Sequence, residues 1–169
     1  MYKRQVYATT VIDVPRERVF DLVADLANRE SFTRGFIDQL RLELLPSSGV
    51  GAAARFHVNG RGIEMWMETV IEEIDRPHRI FERGRGGRTD RIPVFTVWEL
   101  VESLGDATEV TVTFWTEPTH PWDRLTEKFG HARRFRRRWR SALDQLREIL
   151  ESGAAIEPVG VAGEPRLPV

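Results

Sequence analysis

Polar and apolar residues alternate from Val6 to Val14, with Val6, Ala8, Thr10, Ile12 and Val14 on one side and Tyr7, Thr9, Val11 and Asp13 on the other. A period of two over this length predicts a strand. At Pro15 the period changes: Val19, Phe20, Val23 and Leu26 recur at helical spacing, and proline suits a first helical position, where the N–H it lacks would have no partner. The helix breaks around Asn28 and Arg29, and Phe32 and Phe36 fall in a short second helix or loop.

From Ile37 to Thr119 the pattern is strands and turns. Strands are predicted over Ile37–Leu45, Ala53–Val58, Ile63–Ile74, His78–Arg83, Pro93–Glu102 and Thr108–Glu117. Pro46-Ser47-Ser48-Gly49, Asn59-Gly60, Asp75-Arg76-Pro77 and Leu104-Gly105-Asp106-Ala107 punctuate them, Asn-Gly being a strong hairpin signal because both residues tolerate positive φ. In the third of these strands Met65, Met67, Thr69 and Ile71 share a face, opposite Glu64, Glu68 and Glu72 with Trp66 and Val70. In the last two, Thr96, Trp98, Leu100, Val110, Val112 and Phe114 face inward, because Glu99, Glu109 and Glu117 occupy the other phase. Trp66 and Trp115 share phases with glutamates and are placed on the outer face of the sheet or beneath the tail.

The longest pattern comes last. From Trp122 to Ser152, Leu125, Phe129, Ala132, Phe135, Trp139, Ala142, Leu143, Leu146, Ile149 and Leu150 recur at steps of three and four, one apolar stripe on a long helix. The stripe needs a surface to lie on, and the inward faces of the strands supply it. A consecutive antiparallel sheet with a helix on one face is an α+β architecture. Residues 1–152 read as a single domain and 153–169, rich in Gly, Pro and Ala, as a flexible C-terminal tail.

Composition narrows the function classes. A hydrophobic share of 41% with 30% charged residues excludes a disordered chain. A net charge of −1 gives no global attraction to nucleic acid or anionic lipid. The absence of cysteine excludes disulfides and thiolate chemistry and fits a reducing cytoplasm. No stretch reaches the roughly 18 apolar residues of a membrane span, and Met1–Gln5 has no apolar leader pattern.

Thr10-Val11-Ile12-Asp13-Val14-Pro15 runs into Val19-Phe20-Asp21-Leu22-Val23-Ala24-Asp25, followed by Phe32; Ile71-Glu72-Glu73-Ile74-Asp75-Arg76-Pro77 ends a strand at a proline turn; Thr96-Val97-Trp98-Glu99-Leu100 and Thr108-Glu109-Val110-Thr111 form the final hairpin before the long helix. In these segments, spanning Val6 to Glu151, the chain resembles the START-like (SRPBCC, helix-grip) superfamily, and within it the polyketide cyclase/dehydrase and lipid-transport group. The resemblance implies a seven-stranded antiparallel sheet curled around the C-terminal helix, two short helices between strands 1 and 2, and a cavity between sheet and long helix. In this group the cavity takes sterols, quinones, aromatic polyketides, other lipids or plant hormones; some members are cyclases or dehydratases and many are carriers. Fold does not choose among them.

For the lining of such a cavity the sequence offers Trp98, Met65, Met67, Phe114, Phe32, Trp139, Thr96 and Phe129, the methionines and aromatics suiting an adaptable apolar pocket or, equally, a solid core. Arg136 falls beside Leu125, Phe129 and Leu143 at the edge of the stripe, where it could reach inward and bind a carboxylate, phenolate or carbonyl; the alternative is that it snorkels to the surface or pairs with an internal glutamate. Around it runs Arg133-Arg134-Phe135-Arg136-Arg137-Arg138-Trp139-Arg140, in which Arg134, Arg137 and Arg138 are expected to face water. No H-E-x-x-H spacing joins His57, His78, His120 and His131, so no metal is expected. No G-x-S-x-G elbow is present. Gly84-Arg85-Gly86-Gly87-Arg88 joins two strands and reads as a flexible loop that could cover a cavity mouth. No catalytic set or cofactor motif emerges. Binding or carriage of a small hydrophobic or aromatic ligand is therefore expected, ahead of a polyketide cyclase or dehydratase activity. Nucleic-acid or membrane-surface binding through the run 133–140 ranks last, and no nucleic acid is expected as a partner.

Overall fold

The computed structural model describes residues 5–60, 63–87, 92–117 and 131–161. Seven strands form one antiparallel half-barrel sheet: β1 (Val6–Ile12), β2 (Ile37–Leu42), β3 (Ala53–Gly60), β4 (Ile63–Asp75), β5 (Arg79–Gly86), β6 (Ile92–Glu102) and β7 (Thr108–Thr116). Their order is β1-β7-β6-β5-β4-β3-β2. The chain thus jumps once from one sheet edge to the other, through the helices α1 (Arg16–Ala24) and α2 (Arg29–Phe32) and the 3-10 turn Leu26–Asn28. It then meanders back to pair β7 with β1, from Val6 opposite Phe114 to Ile12 opposite Thr108. The long helix α3 (His131–Ser152) closes the inner face. This is the α+β helix-grip arrangement expected of the sequence.

Alternation decides which side of the sheet each residue takes. Val6, Ala8 and Ile12 are buried while Tyr7 and Val11 are exposed; Val94, Thr96, Trp98 and Leu100 face inward, as do Val110, Val112 and Phe114. On α3 the buried stripe is Phe135, Trp139, Ala142, Leu143, Leu146 and Leu150, the spacing of a helix lying on a sheet. Residues 122–130 of the predicted helix, with Leu125 and Phe129, are outside the described residues.

Several boundaries move for physical reasons. Strand β2 stops at Leu42, short of the expected Leu45, and Leu44 and Leu45 are 61% and 68% exposed. Within it the register shifts between Asp38 and Arg41, with Gln39 at φ 52°, a β-bulge. Asn59 and Gly60 pair with Glu64 and Ile63 and so end the ladder instead of turning it. The glycine-rich stretch expected as a loop is largely strand: β5 runs through Gly84 to Gly86. A Cβ at Gly84 would come within 1.8 Å of the Glu68 carbonyl oxygen, so glycine here admits the neighbouring backbone, one of its roles inside a strand.

The segment after α3, where the sequence has no period, has docking partners. Val159 N–H donates to the Ala27 carbonyl at 3.0 Å and Leu42 N–H to the Gly160 carbonyl at 3.3 Å. Val161 makes a parallel bridge to Leu42, and Val159 and Val161 pack against the core. Residues 159–161 therefore cover part of the otherwise open edge of β2.

Candidate functional site

Helix α2 is one turn long and places Arg29 and Phe32, three residues apart, on a single face. That face turns into the sheet: Arg29 is 1% and Phe32 0% exposed. Phe32 meets Trp98 of β6 edge-on at 6.1 Å, and the Arg29 guanidinium lies over the same indole at 5.2 Å. Beyond it Arg29 makes a two-pronged contact with Glu82 of β5, Nη2 to Oε1 at 2.5 Å and Nη1 to Oε2 at 3.2 Å. Thr69 of β4 donates its hydroxyl to Oε2 at 3.0 Å, and Trp98 donates its indole N–H to Oε1 at 3.0 Å. Donors from three elements thus converge on one carboxylate that is itself 1% exposed. A carboxylate taken out of water costs several kcal/mol unless its lone pairs are met in this way.

Against this polar centre lies an aromatic enclosure. Phe114 stacks on Phe135 at 4.9 Å, Phe36 meets Trp139 edge-on at 5.2 Å, and Trp139 meets Trp98 at 5.6 Å. A void of about 20 Å³ opens between them, with Arg29, Glu82, Thr69, Thr96, Met67 and Trp139 among the residues in its wall. That is room for one water, far below the roughly 300–1,000 Å³ of a ligand-filled pocket. Two wall residues carry buried donors without an acceptor, Nε of Arg29 and Nε1 of Trp139. Buried donors normally have partners; the third such atom among the described residues, Nε of Arg16, lies outside this wall.

Of the residues expected from the sequence, Met67, Thr96, Phe114 and Trp139 line this void, while Trp98 and Phe32 form the layer behind it. Met65 is only half-buried and packs at the core's margin. Phe129 lies outside the described residues. Arg136 is a correction: it is exposed and sits over the ring of Tyr7 at 5.7 Å. The buried stripe is centred on Phe135, Trp139, Ala142 and Leu146, and at 100° per residue Arg136 falls on its flank, beside β1, whose Tyr7 points outward. The arginine that turns toward the body of the protein is Arg138, half-buried and donating to the Gly35 carbonyl. The buried cation, Arg29, was not among the sequence candidates, nor were Glu82 and Thr69.

Elsewhere, Trp66 and Trp115 lie on the outer face as expected, Trp66 beside His57 at 5.3 Å and Trp115 stacked on Phe95 at 5.1 Å. His57 bonds Asp38 at 3.0 Å through Nδ1. Among the described residues no three metal-ligating side chains come together, and no helix is long and apolar enough to cross a membrane. A larger surface cleft, about 1240 Å³, lies between residues 154–161 and the α2 and C-terminal α3 region; Glu30, Arg34, Arg41 and Glu148 give its wall mixed charge. Nothing in it selects one sign of ligand.

With this geometry the comparisons with known proteins agree. Residues 3–151 match the family described as polyketide cyclase / dehydrase and lipid transport. The chain belongs to that family. Its fold is similar to a crystal structure of a Thermus thermophilus protein, at 20% identity and TM-score 0.70 over 89% of this chain and 99% of that one. It is similar also to a Chromobacterium violaceum protein, at 18% identity and TM-score 0.62 over 88% and 97%. Ginseng major latex-like protein 151 from Panax ginseng aligns at 14% identity and TM-score 0.60 over 88% and 95%. No curated protein matches the sequence. Membership supports a hydrophobic ligand-binding fold, and likeness at these identities carries the fold alone.

Proposed function

We propose that this family member binds a small, largely apolar and uncharged ligand between the sheet and α3, and that a single oxygen on the ligand takes the polar contact. The observation that carries this reading is the combination, in one aromatic enclosure, of a charge-neutral and fully donated ion pair with two donors that lack acceptors. The two fully buried wall atoms without a partner are both donors, which suits a carbonyl, ether or phenolic oxygen. An acid is disfavoured. Arg29 already has its counter-charge in Glu82, so a second carboxylate would be buried with no cation to offset it. The void is too small for even one aromatic ring, so binding on this reading is an opening event in which Phe36, Phe135 and Trp139 separate. A cyclase or dehydratase would need a free acid or base, and Glu82, with both oxygens occupied, does not supply one.

Native mass spectrometry of gently purified protein is expected to reveal a co-purified apolar molecule. In tryptophan-fluorescence titrations acetonaphthone should bind more tightly than naphthalene, and naphthoate most weakly. Replacing Trp139 with phenylalanine keeps a ring but removes the N–H; it should weaken the ketone about three- to tenfold, the worth of one neutral hydrogen bond, and leave naphthalene unchanged. Absence of both a co-purified molecule and any probe binding removes the reading, and naphthoate as the tightest probe removes its uncharged-ligand half.

A further inference from the structure

The run from Arg133 to Arg140 holds six arginines in eight residues, and the fold sorts them. Arg138 is spent on the Gly35 carbonyl, Arg136 on the ring of Tyr7, and Arg134 is engaged as well. Arg133, Arg137 and Arg140 remain, exposed and with no ion pair or hydrogen bond among the described residues. Their spacing of four and three residues puts them on one helix face, within about 60° of each other, as a row about 10 Å long. The row lies opposite the buried stripe, Arg137 standing almost diametrically across from Leu146. The acidic residues of α3, Asp144, Glu148 and Glu151, all come later in the helix. Asp144 faces Arg147 at 3.6 Å, and Glu151 accepts from the Asp13 N–H at 2.9 Å. A row of exposed cations, unpaired among the described residues, on one helix face is complementary to a flat array of anions.

We propose that this outer face of α3 docks the protein on an anionic lipid bilayer. Its flank favours a bilayer over nucleic acid. Tyr7, 60% exposed beneath Arg136, adds an amphipathic ring beside the arginine row; such a residue sits well at a lipid headgroup boundary. The aromatics of the run, Phe135 and Trp139, are buried at 7% and 3% exposure and are not free to stack on bases. Docking does not depend on what the interior binds. The same helix nonetheless walls the void with its inner face, so docking would bring that wall to within one helix diameter, about 10–12 Å, of the headgroups.

Flotation of the full chain with vesicles of phosphatidylcholine, with and without phosphatidylglycerol, tests this. Binding is expected only to the anionic vesicles and should fall with added salt. The triple variant Arg133→Glu, Arg137→Glu, Arg140→Glu should lose on the order of a hundredfold in partitioning, about fivefold for each arginine removed. A charge-matched control, Arg18→Glu, Arg34→Glu, Arg41→Glu, alters exposed arginines off this face and should retain most of the binding; circular dichroism verifies that both variants fold. Equal losses in the two triple variants would reduce the effect to net charge and overturn the proposal. So would wild-type protein that ignores anionic vesicles at low salt, or one that binds a duplex RNA while leaving the vesicles alone.

Discussion

On the inner face of β5, Glu82 follows Ile80 into the core and is met by Arg29, Thr69 and Trp98. On the outer face of the same strand Phe81 stacks with Phe95 at 6.2 Å, Phe95 with Trp115 at 5.1 Å, and the guanidiniums of Arg79 and Arg83 lie over Phe81 and Phe95 at 5.6 and 5.9 Å. Charge is inside and aromatic surface outside, the reverse of the simplest rule for a sheet. The two faces contain similar pairs, an arginine with an acid and a ring, under different solvents. Outside, water can replace any contact that is lost, so the arginines and rings shelter each other for small gains. Inside, nothing replaces a missing partner, and the same set of groups becomes an all-or-none network.

The largest test of this contrast removes one member of the inner pair. Glu82→Leu leaves a buried guanidinium without its counter-charge and should cost about 3–5 kcal/mol, read as a lower urea midpoint with an unchanged denaturant slope. Adding Arg29→Met removes the stranded charge and should recover much of that loss. It should not recover all of it, because the Trp98 N–H and Thr69 hydroxyl still lack an acceptor. If Glu82→Leu and Arg29→Met each cost less than about 1 kcal/mol, the pair behaves like a surface pair and the contrast between faces collapses.

Much of the frame was legible because it rests on local period. Two-residue alternation put Trp98, Thr96 and Phe114 inside, and the three-four stripe put Phe135 and Trp139 against them. The polar centre was harder to see. Glu82 is in phase with Ile80, and Arg29 is three residues from Phe32, so each carried a hint of burial. Their partnership, though, spans 53 residues, and no local pattern encodes it. Leu125 and Phe129, ahead of the described helix, put Arg136 on the apolar stripe of the sequence, while the neighbour that decides its position, Tyr7, comes from the other end of the chain. Gly84 reads as loop punctuation in the sequence because its role, close approach to the Glu68 carbonyl, exists only once β4 and β5 are paired.

The outer face supplies the intermediate effect. Phe95 is the middle ring of its row and half-buried, and Phe95→Ala breaks both of its stacked contacts. At about 0.5–1.5 kcal/mol per aromatic pair, a loss of about 1–3 kcal/mol is expected by thermal or urea unfolding. A loss as large as that of Glu82→Leu would mean that the outer row is as closed to water as the inner centre.

The smallest effect is expected at Arg83, and it is the most diagnostic for that reason. Arg83 has an acid, Glu72, at 3.6 Å and a ring, Phe95, at 5.9 Å, the outer counterparts of what Glu82 and Trp98 give Arg29. Its side chain is 58% exposed and that of Glu72 40%. At this exposure the Coulomb attraction is weakened by solvent, and holding two long side chains together costs entropy. Arg83→Ala should therefore change stability by less than about 1 kcal/mol, and the difference should shrink further in concentrated salt, where exposed charges are screened. The comparison with Arg29→Met is direct, since both variants delete a guanidinium from a ring and a carboxylate. If the two deletions cost the same, burial does not set the worth of these contacts; if Arg29 costs several times more and its effect is insensitive to salt, it does.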